Sequence, residues 1–255
     1  MYNGEKVSVI FPTYNEKDSI RAAIADFLAA GTVDEVIVVN NNAAPGTSEE
    51  VAGTGAREVF ENRQGYGYAL QRGMAEATGD ILILAEPDNT FLGRDVNKLL
   101  AYADDLDVVF GTRTSTIFIW AGANMGVFLK WGNYAVGKLL EFLFGTTILT
   151  DVGCTMKLLR RRVYEQVKDR FRVGSSHFGP HLMLLIVTAG IRFVEIPVNY
   201  RTRVGQSMVT GSFFKSLKLG LIMIGMICYA RFASVFLPNS VYRVSRPADR
   251  TATHQ

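Results

Sequence analysis

Two carboxylates one residue apart, Glu86 and Asp88, flank Pro87 just after the run Asp80-Ile81-Leu82-Ile83-Leu84. On a loop leaving a strand both can point the same way. Together they suit a hard divalent cation that also takes phosphate oxygens. An isolated acid-Pro-acid is more often a solvated turn; position at the end of a buried strand favours chemistry here. Gly65 and Gly67 let a backbone approach a ligand closely, or mark a plain helix entry. His177 and His181 have the i, i+4 spacing of zinc ligands. Pro180 lies between them and no third ligand accompanies them, so packed or supporting histidines are the better reading. Cys154 and Cys228 form neither a disulfide framework nor a zinc spacing, which fits a reducing compartment.

These residues need elements to hold them. Val7–Phe11 reads as a strand closed by Pro12. Glu16–Ala30 has helical spacing with Ile20, Ile24, Phe27 and Leu28 on one face, and Gly31 follows as a cap. Further strands are expected at Asp34–Val39, Arg57–Phe60, Asp80–Leu84 and Asp107–Phe110. Helices are expected from Thr47, over Gly65–Ala77 and over Leu92–Tyr102. This alternation implies an α/β fold with a mostly parallel sheet flanked by helices. Ligands then bind at the carboxyl ends of the strands, which here are Pro12–Glu16, Asn40–Asn42, Glu86–Asn89 and Gly111–Arg113. The second half is less regular. It shows glycine-interrupted helical patterns over Trp120–Phe144, a partly extended Thr150–Leu159 and a helix at Phe178–Ala189. A strand at Arg192–Tyr200 and a long apolar helix at Phe213–Phe236 follow.

The 255 residues favour one domain with a small extension. The chain is 48% hydrophobic and 20% charged, with mean hydropathy +0.14. That is apolar for a water-soluble enzyme and too charged for a multi-span membrane protein. The net charge of +3 hides a split: residues 1–107 carry 8 basic and 18 acidic side chains, a net of −10, and residues 108–255 carry 19 and 6, a net of +13. The basic half meets something anionic, a membrane surface or nucleic acid. No nucleic-acid motif is present, and the positive charge lies beside apolar segments, so nucleic acid is set aside. The strongly apolar stretch Leu219–Ala230 is shorter than a bilayer span of roughly 20 residues. An interfacial helix is expected instead. Trp120 and Trp131 bracket a second apolar segment that fits either core or a lipid interface.

Several segments resemble family 2 glycosyltransferases with the GT-A (Rossmann-like) fold. Phe11-Pro12-Thr13-Tyr14-Asn15-Glu16 is similar to the family's first-strand signature. Gln64–Leu70, with Gly73 and Ala77–Asp80, looks like the loop and helix before its metal motif, and Glu86-Pro87-Asp88 stands where the family carries Asp-x-Asp. Asp151–Lys157, Gly111-Thr112-Arg113 and Pro197–Ser207 resemble the dolichyl-phosphate mannosyltransferase and polyprenyl-phosphate glycosyltransferase branch. The matches run in family order from about Val7 to Ser207. Asn41 replaces the family's base- or ribose-binding Asp, Glu86 its first metal Asp, His181 a common Glu, and Met208 a Lys of the basic loop.

The resemblance implies inverting transfer of a sugar from a UDP- or GDP-sugar to a polyprenyl phosphate. Mg²⁺ or Mn²⁺ held by Asp88 and Glu86 would steady the leaving diphosphate. Pro12, Tyr14, Glu16 and Asn41 would shape the nucleotide pocket, with Gly65 and Gly67 against the donor. Asp151 would be the base or a sugar-orienting carboxylate. Arg113, Lys130, Arg201 and Arg203 would hold the acceptor phosphate, whose second ionisation near roughly pH 6 removes the need for a base. The implied organisation is a catalytic domain over 1–210, divided into a donor half (1–110) and an acceptor half (111–210). A membrane-interface helix over 211–238 and a polar, disordered tail over 239–255 follow. Such a chain is peripheral, on the cytoplasmic face of a membrane, and its long helix offers lipid contact or self-association as a homo-oligomer. The competing readings are transfer to a saccharide or small hydroxyl acceptor, with Asp151 as base, and a non-catalytic nucleotide-sugar binding module.

Overall fold

The computed structural model describes residues 1–123, 125–205 and 213–244. The apolar runs of the first half form parallel strands β1 (Val7–Thr13), β2 (Glu35–Asn40), β3 (Arg57–Phe60) and β4 (Ile81–Leu84). Helices α1 (Lys17–Leu28), α2 (Thr47–Val51) and α3 (Tyr66–Glu76) connect them, and α4 (Asp95–Ala103) leads to β5 (Val108–Thr112). β6 (Lys157–Arg160) runs antiparallel between β4 and β5, and β7 (Phe193–Pro197) pairs parallel with β5. The sheet order is β3-β2-β1-β4-β6-β5-β7. Strand order reverses between β1 and β4, which places a crevice there at the carboxyl ends.

Strand residues alternate between two cores. Ile10, Leu82 and Phe110 pack with α3, α5 (Val127–Phe144), α6 (Arg161–Val167), α7 (Phe178–Thr188) and α8 (Phe213–Phe236). Val9, Phe11 and Ile83 pack on the other face with α1 and α4. β1 continues through Pro12 to Thr13 rather than ending before it. In a parallel strand each residue's N–H and C=O turn to one neighbour, and the neighbours alternate. The carbonyl of Ile10 accepts from the Ala85 N–H, so Pro12 faces the β4 side too, beyond the last rung at Ile10–Leu84. No ladder bond is lost there, so proline is tolerated inside a central strand.

The second half departs further from expectation. Trp120 is on no helix, and its Nε1 donates to Asn199 Oδ1 at 3.1 Å; α5 begins only at Val127. β7 stops at Pro197, and β6 turns directly into the unexpected α6. α8 has 24 residues and mean hydropathy 1.9, long and apolar enough by length and composition to cross a membrane. Its buried residues are Met223, Ile227, Ala230 and Ala233, a single stripe against the body. The chain then docks. His181 Nδ1 lies 2.6 Å from the Tyr242 hydroxyl, and Arg170 Nε donates to the Val241 carbonyl at 2.6 Å. The polar tail expected from 239 thus opens as a packed turn. Residues 245–255 of that tail lie outside the described residues, as do 206–212, with Gln206, Ser207 and Met208.

Candidate active site

β4 ends at Leu84, and the loop behind it carries Glu86 and Asp88 into the crevice. Ser19 on α1 donates to the Pro87 carbonyl at 2.7 Å and fixes the loop between them. Asp88 is fully buried, and its Oδ1 accepts from the Thr90 N–H (2.9 Å) and hydroxyl (2.5 Å). Asp88 Oδ2 is buried. Arg203 lies against it as an ion pair and also donates to Glu86 Oε2 at 2.9 Å. Burial, with the Asp88 charge, pushes the Glu86 carboxyl up to about 8, against the pull of Arg203. Two carboxylates crowded together at a buried strand end, the Glu86 pKa raised by burial and by the Asp88 charge, are an oxygen donor set that fits a hard cation. Among the described residues no group of three or more His, Cys, Asp or Glu is placed to hold a metal ion.

Glu16 stands at the same crevice. Its carboxylate accepts from the N–H groups of Tyr14 (2.7 Å) and Asn15 (2.9 Å), and burial raises its pKa despite them. Tyr14 is half-exposed and Pro12 buried beside it. Arg201 turns away from the crevice. Its guanidinium donates to the Asn89 carbonyl (3.2 Å), Asn89 Oδ1 (2.8 Å) and the Phe91 carbonyl (3.2 Å). Its N–H donates to the Thr90 carbonyl, and that of Val204 to the Asp88 carbonyl. The 201–204 stretch is therefore zipped to the loop bearing the two carboxylates.

A second cluster forms where β5 ends. Asp151 is fully buried and paired bidentately with Arg113, Nε to Oδ2 at 2.8 Å and Nη2 to Oδ1 at 3.0 Å. The N–H groups of Arg113 (2.9 Å) and Gly153 (3.1 Å) fill its remaining lone pairs. Burial alone would raise the Asp151 carboxyl; the Arg113 guanidinium outweighs it and holds the group below the usual carboxylate range. Arg113 also stacks on the Tyr200 ring, 5.1 Å from its centroid. Behind them Glu195 on β7 accepts from the Thr150 N–H (2.7 Å) and hydroxyl (2.6 Å) and from the Asp151 N–H (2.9 Å).

Asn41 is saturated by its own fold. Its Nδ2 donates to the carbonyls of Glu61 (2.7 Å) and Arg63 (2.8 Å), and its Oδ1 accepts from the Gly65 N–H at 2.8 Å. It therefore ties the 61–65 loop rather than facing outward. The close approach that Gly65 and Gly67 permit is to the chain itself. A Cβ on Gly65 would stand 2.2 Å from the Gly174 carbonyl oxygen, and one on Gly67 2.8 Å from Phe178 Cβ.

Between α5, α7 and α8 lies a largely apolar cavity of about 290 Å³, lined by Phe128, Leu129, Pro180, Leu217 and Met223, with Arg113 and Tyr66 in its wall. Lys130 sits apart from the carboxylates, with Thr114, Trp131 and Tyr134 at a second cavity of about 300 Å³. The structure thus brings together Glu16, Glu86, Asp88 and Arg203, and separately Arg113 and Asp151. Tyr66, Tyr200 and Glu195 escaped sequence reasoning. Glu195 carried one usable signal, an acid within the otherwise apolar Phe193-Val194-Glu195-Ile196 run.

A mostly parallel α/β sheet with carboxylates and cations gathered at its strand ends has the architecture of the GT-A class. The chain matches the profile of Glycosyl transferase family 2 over residues 8–168, more than half its length, and belongs to that family. It is a glycosyltransferase. A dolichyl-phosphate hexose transferase of Haloferax volcanii is 28% identical over 210 residues, covering 81% of this chain and 87% of its own. An undecaprenyl-phosphate 4-deoxy-4-formamido-L-arabinose transferase of Klebsiella pneumoniae is 26% identical, covering 78% of this chain and 61% of its own. Glucosyl-3-phosphoglycerate synthase of Mycobacterium tuberculosis, solved with Mn²⁺, UDP and glucosyl-3-phosphoglycerate, shares the fold at TM-score 0.66 and 18% identity, covering 89% of this chain and 80% of its own.

Proposed function

We propose that this glycosyltransferase moves a sugar, with inversion, from a UDP- or GDP-sugar to a polyprenyl phosphate at the cytoplasmic face of a membrane. The observation that carries the acceptor is Asp151. A buried carboxylate with every lone pair filled and a lowered pKa is a poor proton acceptor. A hydroxyl acceptor needs a base; a phosphate that is already anionic does not. Asp151 instead holds Arg113, whose guanidinium stands in the wall of an apolar cavity suited to isoprene units. The two curated relatives named above are both polyprenyl-phosphate transferases, which supports the same acceptor class.

In this reading Glu86 and Asp88 would hold Mg²⁺ or Mn²⁺, which supplies charge stabilisation to the departing diphosphate. Glu16, Tyr14 and Pro12 line the donor crevice, and Arg203 faces its phosphate side. Arg113 orients the acceptor phosphate, and the apolar wall excludes water that would otherwise take the sugar. The exposed apolar side chains of α5 and α8, Trp131, Phe142, Phe214 and Leu221 among them, rest on the lipid surface. The test is transfer of radiolabelled sugar in the presence of Mn²⁺. Polyprenyl monophosphate should be labelled, and product on saccharides alone overturns the acceptor. A second reading, transfer to a small phosphorylated alcohol, draws on the glucosyl-3-phosphoglycerate synthase fold; it requires a base that Asp151 is badly placed to be.

A further inference from the structure

Arg203 lies on the same two carboxylates that the proposed metal would use. Its Nη2 is ion-paired with Asp88 Oδ2 and sits 2.9 Å from Glu86 Oε2, so one guanidinium bridges both carboxylates. The guanidinium is the partner of Asp88 Oδ2, while Oδ1 is taken by Thr90. The backbone on either side is anchored, at Arg201 to the Thr90 carbonyl and at Val204 to the Asp88 carbonyl. The Arg203 side chain is 20% exposed, and its main chain is held independently of the guanidinium. A divalent cation on the same two carboxylates cannot share that space with a guanidinium, because like charges in contact repel strongly away from bulk water. A nucleoside diphosphate changes the balance, since its phosphates offer Arg203 a second anionic partner with matching fork geometry.

We propose that Arg203 is a built-in counter-cation of the Glu86–Asp88 pair. It neutralises the carboxylates when no metal is bound and gives them up to a divalent cation as the nucleoside diphosphate arrives, its guanidinium passing to the diphosphate. The inference rests on the metal-dependent donor site proposed above. It makes metal and nucleotide binding mutually reinforcing and keeps the bare enzyme from loading metal alone.

The test is a titration of the full chain with Mn²⁺, read as free Mn²⁺ by electron paramagnetic resonance, with and without UDP or GDP. Arg203→Gln should bind Mn²⁺ alone about tenfold more tightly than the native chain, and the Mn²⁺–nucleotide pair about tenfold more weakly. Arg203→Lys, which keeps the charge, should restore the native pattern in sign, and Asp88→Asn should abolish Mn²⁺ binding. Thermal unfolding of each variant establishes that it is folded. Unchanged or weaker Mn²⁺ binding by Arg203→Gln alone overturns the counter-cation while leaving the metal site standing. No Mn²⁺ binding by the native chain, with or without nucleotide, overturns the metal site and this inference with it.

Discussion

Asp151 has every acceptor position filled from within its own fold, and that decides how its loss should read out. Asp151→Asn replaces one acceptor by a donor facing the Arg113 guanidinium, so Arg113 loses its bidentate anchor. Sugar transfer should fall about 10²-fold, as expected when a positioned group shifts by an ångström or so. The acid limb of the native rate profile should lie near roughly pH 6, set by the acceptor phosphate, rather than in the carboxylate range. A limb below the usual carboxylate range would return Asp151 to the role of base. Asn41→Asp should destabilise the fold by about 1–3 kcal/mol, because a carboxylate would face the Glu61 and Arg63 carbonyls with no proton to donate. The denaturant midpoint measures it. At this scale Glu86, Asp88 and Arg113 were legible because each follows the apolar run of a strand, whereas Asp151 was legible only through the resemblance of its segment to the family. Tyr66, Tyr200 and Glu195 were not, because their roles arise from contacts between segments far apart in sequence.

Among the elements, the parallel strands β1 to β5 were readable from their apolar runs and turn residues. β6 was read only as the end of a partly extended Thr150–Leu159, since Lys157–Arg160 carries two basic residues among four and its burial follows only from lying between β4 and β5. The junction of α7 with the turn after α8 also has no local signature. It depends on His181, fully buried, accepting from the Arg172 N–H at 3.2 Å through Nε2 and meeting Tyr242 through Nδ1. Burial pushes His181 down to about 4 from its ordinary 6.5. The unfolded chain therefore takes up a proton near pH 6.5 that the folded one refuses until about pH 4. This contribution to stability is complete above 6.5 and is lost as the pH falls from there toward 4, by up to about 3 kcal/mol. Urea unfolding at a series of pH values should show that slope, and His181→Gln should remove it.

For the molecule as a whole, the charge split becomes a spatial arrangement: acidic side chains stand at the strand ends where the donor site is proposed, and the basic half carries the exposed apolar helices. Lys215, Lys218 and Arg231 are exposed on α8 among Phe214, Leu217, Leu221 and Phe232. Replacing each by Gln should weaken binding to anionic vesicles by about 1 kcal/mol apiece and leave binding to neutral vesicles unchanged. Flotation assays at two lipid compositions check this. The first-half charge and the apolar second half were evident in composition; which face of α8 is covered was not. An all-round apolar helix lacks a period that marks its buried stripe.

α8 meets the same body at both of its ends. Phe213 at its start stacks on Phe128 of α5 with ring centroids 4.6 Å apart, and Tyr242 just past its close bonds His181 of α7. A helix of 24 residues is about 36 Å long, so a rod pinned at its two tips cannot carry one of them across a bilayer. A protease-cleavable reporter joined after residue 244 should therefore share the fate of one joined ahead of Met1. In sealed vesicles both would be digested or both protected.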